Sequence, residues 1–364
     1  MPMDKNTKSA IIAMSGGVDS SVAAYLMITQ GYDCIGATMK LFYNEDMGMD
    51  RQKACCSLED VENARSVAFR LGIPYYVFNF SADFRKQVIR RFIAAYESGA
   101  TPNPCIDCNR YLKFDRLYRR ARELGYTYVV TGHYARIEEQ DGRFLLKKAL
   151  DSSKDQSYVL YAMTQDQLRH TLFPLGTMYK RETRRIARQQ GFLNCDKPDS
   201  QDICFVPDGD YGKFMEQYRG KPYPDGVFLD ENGAAVGKHS GAVGYTIGQR
   251  KGLGLSMGKP VYVYDKDMEK NTVSVGDEHL LYSKGLIAGD VNWIAFDAPA
   301  PSLRTKAKIR YRQAEQWATV RPLDDGTIHV EFDEPQRAIT VGQAVVLYDG
   351  DTVLGGGTIT EVVR

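Results

Sequence analysis

Up to about Pro207 the chain alternates short apolar runs with stretches whose apolar residues recur at helical spacing. "SAIIAMS" predicts a strand, "DSSVAAYLMITQG" a helix closing on a glycine C-cap signal, and "DCIGATMKLF" a second strand. The helix–strand unit returns in "LEDVENARSVAFRLG" with "IPYYVFNF", and in "FDRLYRRARELG" with "YTYVVTGHYA". Such alternation predicts a parallel sheet covered on both faces, with ligands beyond the carboxyl ends of its strands. Residues 208–285 break the pattern: Gly, Pro, Asp and Tyr are dense, with short strand-like pieces such as "PVYVYD" and "NTVSVG". From 286 on, "KAKIRYR", "TIHVEF", "QAVVLYDG" and "GGTITEVV" alternate with period 2 between turn signals, predicting a small antiparallel barrel. The expected organisation is an α/β domain over 1–207, a small central domain over 208–285 and a β-barrel over 286–364.

Length agrees, since 364 residues exceed one ordinary core. Hydrophobic and charged fractions of 43% and 26% are those of a globular protein, and no apolar run approaches the ~20 residues that span a bilayer. The first residues carry only a short apolar run before glycines, so no signal peptide is expected, and the expected location is cytoplasmic with no membrane partner. The formal charge of +1 argues against a globally basic nucleic-acid binder. Basic residues nevertheless cluster in "RKQVIRR", "RYLKFDRLYRRAR", "KRETRRIAR" and "RTKAKIRYR", faces compatible with solvent or with a polyanion. Seven cysteines, thinly spread, do not make a secreted disulfide framework; they point to metal, catalysis or inert burial.

"AMSGGVDSS" lies where the first strand meets the first helix. Gly16 and Gly17 allow a tight turn with outward N–H groups, and Asp19, Ser20 and Ser21 open a helix whose N-terminus attracts anions. With no G-K-[S/T] it is not a Walker A loop, and it is not G-x-G-x-x-G either. An ordinary glycine turn capped by Asp or Ser is the plain alternative. The segment S-G-G-x-D-S resembles the PP-loop of ATP pyrophosphatases, which grips the pyrophosphate released when ATP adenylates a substrate.

Elsewhere "NPCIDCNRYLKF" sets Cys105 and Cys108 in a C-x-x-C spacing, which suits half a zinc site, a redox pair or two unrelated thiols. The nearest other pair, Cys55–Cys56, lacks that spacing, and an iron–sulfur centre using Cys105, Cys108 and Cys204 remains open. In order, "SGGVDSS", "NPCIDCNRYLKF", "TGHYAR", "KDQSY", "DSQDICF" and "YTIGQRKGLG" closely resemble the tRNA-specific 2-thiouridylases of the MnmA type, over nearly the whole chain. The resemblance implies a Rossmann-like PP-loop domain, a small central domain and a C-terminal β-barrel. It implies ATP-dependent 2-thiolation of the wobble uridine of tRNA: adenylation of the uracil O2, then sulfur transfer from a cysteine persulfide. ATP, with Mg²⁺, and the tRNA anticodon stem-loop are the implied ligands, and a cysteine desulfurase or sulfur relay protein the implied donor.

Residue by residue, the resemblance makes Cys108 the catalytic thiol and Cys204 the persulfide carrier, with a Cys108–Cys204 disulfide left after each turnover. It puts Ala13, Met14, Ser15, Gly16, Gly17, Val18, Asp19, Ser20, Met39 and Gly132 at the nucleotide. Asn103, Pro104, Cys105, His133, Lys154, Asp155, Gln156, Arg310, Tyr311 and Gln343 fall to tRNA. Cys105 stands where some members carry aspartate, so that aspartate's acid–base role does not transfer. Local readings differ at several positions: Cys204 reads as a buried thiol in a strand "ICFV", Ser153 with Gln156 as a capping box, Arg310–Arg312 as a barrel strand, Met39 as core and Gln343 as a turn residue. A neighbouring cation, Arg110 or Lys113, is expected to lower the thiol pKa at Cys108. Rival readings are another PP-loop ATP pyrophosphatase, tRNA-modifying or a small-molecule ligase, and a non-catalytic tRNA-binding protein.

Overall fold

The computed structural model describes residues 8–43, 58–199, 203–206 and 209–364. Cys55 and Cys56, and residues 200–202 of "DSQDICF", lie outside them. The chain forms two compact units. One comprises residues to Ile89, Pro104–Gly209 and Gly350–Val353; the other comprises Arg90–Asn103, Asp210–Asp349 and Leu354–Arg364.

The first unit is built on β1 (Ser9–Ala13), α1 (Val18–Thr29), β2 (Asp33–Lys40), α2 (Leu58–Arg70) and β3 (Tyr75–Asn79). β4 (Tyr128–Val130), a hairpin of β5 (Arg136–Gln140) and β6 (Arg143–Lys147), and β7 (Thr171–Leu172) follow. The sheet has the order β3-β2-β1-β4-β7 and every pairing is parallel. The period-2 alternation of β1 explains the two covered faces. Ala10 and Ile12 join Val22, Ala23, Val67 and Ala187 in one core, whereas Ile11 joins Leu117, Tyr118 and Ala121 in the other. "FDRLYRRARELG" is less regular than its pattern predicts. Only Leu117–Glu123 is α-helical there, and the nine residues Cys108–Arg116 before it form a π-helix.

In the second unit, the helices Arg90–Glu97 and Tyr211–Arg219 pack through aromatic rings, with Phe92 and Tyr211 centroids 6.0 Å apart. β8 (Gly226–Leu229), β9 (Ala235–His239), β10 (Tyr262–Asp267) and β11 (Thr272–Gly276) form a sheet of order β10-β11-β8-β9 around Phe228, Val263 and Val273. Next come β12 (Tyr282–Trp293), β13 (Leu303–Lys308), β14 (Gln316–Pro322), β15 (Ile328–Arg337), β16 (Ala344–Asp349) and β17 (Thr352–Val363), the last belonging here from Leu354 on. They run β12-β15-β14-β13-β16-β17, and a β12–β17 pairing closes the barrel, leaving no edge. Alternate residues such as Ile328, Val330 and Phe332 of β15 fill it.

Two local expectations fail. "ICFV" is a turn, its chain folded back on itself by the Val206 amide donating to the Ile203 carbonyl at 2.9 Å. β13 stops at Lys308, so Arg310–Arg312 lie on a bend, where the Gln313 amide returns to the Arg310 carbonyl at 3.2 Å.

Candidate active site

The glycine loop sits at the carboxyl edge of the parallel sheet. Ala13 ends β1, and buried Met14 is tied to β2 by both backbone atoms: its amide donates to Ala37 O at 2.9 Å and its carbonyl accepts Thr38 Oγ1 at 2.6 Å. Gly16 has φ +76°, and a Cβ there would lie 2.4 Å from the Asp60 carbonyl oxygen, so only glycine fits. The helix cap is Gly17 and carries no side-chain bond, contrary to the Asp or Ser cap read from the sequence. Instead Ser20 Oγ accepts the exposed Ser15's amide at 3.2 Å and donates to Gly17 O at 3.0 Å, bracing the loop from within. This brace leaves the first-turn amides of α1, beginning at buried Val18, as the anion-binding end. Gly132 follows β4, and a Cβ on it would come within 2.7 Å of the Asp19–Ser20 backbone. Met39 stands opposite Phe78 in the sheet, and its side chain packs in the core, as its pattern predicts.

Asp19 opens a charged network that sequence reasoning missed. Lys180 Nζ donates to both Asp19 oxygens at 2.7 Å and contacts Asp199 Oδ1 at 2.7 Å; Tyr134 OH donates to Asp19 Oδ1 at 3.0 Å. Asp199 also receives Lys154 at 2.9 Å and Arg184 at 3.1 Å. Burial alone would raise its carboxyl pKa, but hydrogen bonds from Lys180 and Lys154, with their charges, outweigh burial and hold it at about 2. Asn194 reaches Gly16 O and Ser21 Oγ, both at 2.9 Å. The sequence signals were weak: Lys180 and Arg184 looked like one solvated basic face, and nothing marked Asn194.

Of the triplet assigned to tRNA, all three side chains make bonds within this unit. Lys154 holds Asp199; Asp155 accepts the Ala149 amide at 2.9 Å and Ser157 Oγ at 2.7 Å; Gln156 Oε1 accepts the Tyr134 amide at 2.9 Å. The predicted capping box is absent, because Ser153 Oγ turns to Asp151 at 2.6 Å and Gln156 to Tyr134. The Tyr134 anchor holds the backbone beside His133.

Pro104 opens a short helix, Pro104–Asp107, that carries exposed Cys105, and Cys108 begins the π-helix. Bonding that reaches five residues back widens the turn, a geometry often found at functional sites. Cys108 is buried, and burial pushes its thiol up to about 11; Lys113 pulls the other way without prevailing. The expected depression therefore does not occur in this state, and Arg110 lies over the Tyr111 ring, 5.5 Å from its centroid. Lys113 Nζ is 3.5 Å from His133 Nε2, and Thr131 Oγ1 is 2.6 Å from His133 Nδ1. Burial first, then Lys113, lowers the His133 pKa well below its usual value, so the ring is neutral at pH 7. Cys204 is half-buried on its turn, beside Phe205, whose ring meets Phe84 edge-on at 5.7 Å. Neither Cys108 nor Cys204 is in a disulfide.

Asn103, Arg310, Tyr311 and Gln343 belong to the second unit. Asn103 ends the segment after the Arg90–Glu97 helix; Gln343 Nε2 donates to Thr101 O at 2.7 Å, and Thr101 N to Val341 O at 2.8 Å. Gln343 is thus a turn residue that also anchors the stretch leading to Asn103. Arg310 Nη2 is engaged by Ala338 O and Thr340 Oγ1, both at 2.9 Å, whereas Tyr311 is exposed, with Lys308 5.8 Å from its ring centre.

A parallel sheet of this order, with a glycine-rich loop between its first strand and first helix, defines an α/β protein of the PP-loop class. The family model described as tRNA methyl transferase HUP domain matches residues 8–208, the PRC-barrel domain of the same series 212–277, and an aminomethyltransferase beta-barrel domain 283–359. Curated relatives named tRNA-specific 2-thiouridylase MnmA are 51% identical over 98% of this chain and 93% of the protein from Symbiobacterium thermophilum, and 52% identical over 97% of this chain and 98% of the protein from Clostridioides difficile. The chain belongs to the tRNA-specific 2-thiouridylase family, MnmA.

Proposed function

We propose that this protein is a tRNA-uridine 2-sulfurtransferase, acting by ATP-dependent 2-thiolation of the wobble uridine. Identity near one half over the full length of thiouridylases carries this reading. The PP-loop geometry supports the ATP half of it. Uracil O2 attacks the α-phosphate of ATP, pyrophosphate leaves, and the uracil N3 proton is lost. The terminal sulfur of a Cys204 persulfide then attacks C2, AMP departs, and a Cys204–S–S–C2 adduct remains. Cys108 attacks the Cys204 sulfur, the adduct's S–S bond breaks, and the thiouracil sulfur leaves, taking up the proton that Cys108 gives. The two cysteines end as a disulfide, which an external dithiol reduces. Lys113 is the charge available to Cys108 as its thiolate develops.

ATP is expected to bring Mg²⁺. No group of three His, Cys, Asp or Glu able to hold a metal occurs among the described residues. Asp19, the carboxylate of the loop, has both oxygens engaged by Lys180, so an ion brought by ATP would be held through phosphate oxygens and water. When bound, such an ion would supply positive charge to the phosphates of ATP.

The tRNA assignments of Asn103, Pro104, Cys105, His133, Lys154, Asp155, Gln156, Arg310, Tyr311 and Gln343, and the divisions 1–207, 208–285 and 286–364, are part of the same reading. An anticodon loop is single-stranded, so splaying its uridine costs less than flipping a paired base. The sulfur donor is a persulfide-bearing desulfurase or relay protein. No helix among the described residues is long and apolar enough to cross a membrane, and the proposed compartment is the cytoplasm.

The test is incubation with tRNA, ATP, Mg²⁺ and a persulfide donor, then digestion and mass detection of 2-thiouridine. Wild type forms product and Cys204→Ser does not. Wild-type product from Cys204→Ser removes the persulfide assignment; no product from wild type removes the function.

A further inference from the structure

His133 follows β4 at the carboxyl edge of the sheet, and its side chain points to work inside the protein. The residue is 8% exposed, and the rings of Phe114 and Phe173 close on it with centroids 5.9 Å and 5.8 Å away. Both ring nitrogens are engaged, Nδ1 with Thr131 Oγ1 at 2.6 Å and Nε2 with Lys113 Nζ at 3.5 Å. A lysine ammonium only donates, so Nε2 is the acceptor and the ring proton sits on Nδ1, which donates to Thr131. Neither nitrogen is left over for RNA. Lys113 itself comes five residues after Cys108. In an α-helix that spacing leaves two side chains about 140° apart, on different faces. Cys108–Arg116 is instead a π-helix, whose bonds run five residues back, as from the Leu117 amide to the Leu112 carbonyl. The wider turn returns residue 113 to the side of the helix that carries Cys108, where its charge opposes the effect of burial on the thiol.

We propose that His133 is a positioning residue: with its tautomer fixed by Thr131, it holds the Lys113 ammonium beside Cys108, in a register that the π-helix supplies. The proposal rests on Cys108 being the resolving thiol of the reaction given above. Without the Nε2 lone pair, the flexible stem of Lys113 carries its charge out to solvent, and the ionising thiol loses its counter-charge. Cys105 and Asp107 are the other titratable groups facing Cys108, and both oppose its ionisation.

Alkylation reports the thiolate, so the full chain is treated with iodoacetamide between about pH 7 and 10 and labelling of Cys108 is followed by fragment mass spectrometry. Lys113→Gln slows that labelling by about tenfold and moves its pH profile upward, one pKa unit being a tenfold change in thiolate. His133→Phe, which keeps a ring and removes the acceptor, moves the profile the same way by several-fold. His133→Gln, whose amide oxygen can stand near the Nε2 position, retains most of the wild-type rate. In the Lys113→Gln background, His133→Phe has no further effect. A ring that only packs would loosen the site when replaced, exposing Cys108 and speeding its labelling in either background. Unchanged or faster labelling in His133→Phe therefore overturns the proposal, as does a full further loss in the double variant. Where His133→Phe fails to fold, Thr131→Val releases the tautomer at similar shape and gives the same upward shift; an unshifted profile there overturns the proposal. 2-Thiouridine formation is measured in parallel. Product from Cys108→Ser at the wild-type rate removes the role of Cys108 on which the proposal rests, an outcome distinct from unshifted labelling.

Discussion

Cys108 and Cys105 differ in burial by a single turn of chain, and reactivity should follow. Cys105 is exposed, whereas Cys108 is buried with its thiol raised to about 11. Iodoacetamide at pH 8, followed by peptide mass mapping, is expected to label Cys105 well before Cys108 in the protein without tRNA. The same shift has a stability sign. A thiol raised in the folded state contributes stability that is full below its unfolded pKa of about 8.5. That stability is lost as pH rises through about 11. Melting temperature against pH should therefore fall more steeply above pH 8.5 for wild type than for Cys108→Ala. Gly132 offers a steric test: a methyl group there meets the Asp19–Ser20 backbone at 2.7 Å, so Gly132→Ala should cost about 1–3 kcal/mol and weaken ATP binding in titration. Residue chemistry was partly legible in the sequence. Asp19 stood out through its loop, but Lys180 and Asp199 lie far from it in the chain and carried no local sign.

At the scale of elements, regular periodicity was read well where each packed face meets a single core. α1, α2 and β1 to β3 appear where their patterns put them. Errors fall on the two short segments that carry Cys204 and Cys108. "ICFV" has the composition of a strand yet turns, and the helical pattern around Cys108 becomes a π-helix. The turn that carries Cys204 is fastened upstream by Asn194 on the glycine loop and by Lys197 on Asp60. Asn194→Ala leaves the Gly16 carbonyl without that donor, which should lower stability by about 1–3 kcal/mol in denaturant unfolding. Gln343→Ala loses the bond to Thr101 O and should cost about 0.5–1.5 kcal/mol. Its protection against hydrogen exchange should fall locally, over residues 100–103 rather than across the barrel.

For the whole molecule, barrel closure depends on β17, which pairs with β12 from Gly285↔Val363 to Trp293↔Gly355. A chain ending before Thr352 loses buried Leu354 and Ile359 and leaves β12 with an unpaired edge. It should aggregate on expression, as measured by the soluble fraction and size exclusion. The sequence by itself determined the class of each region, because hydrophobic period follows directly from 3.6-residue and 2-residue geometry. It also marked the glycine loop, since two adjacent glycines between a strand and a helix permit a tight turn, whereas the close approach of Gly16 to Asp60 came from the packed chain. Only the tertiary structure decided which charges meet. Asp19, Lys154, Lys180, Arg184 and Asp199 are brought together by folding across the parallel sheet, and the raised Cys108 thiol follows from burial that no neighbouring residue in the chain could announce. Periodicity is a local property; electrostatic environment depends on distances that only the packed chain sets.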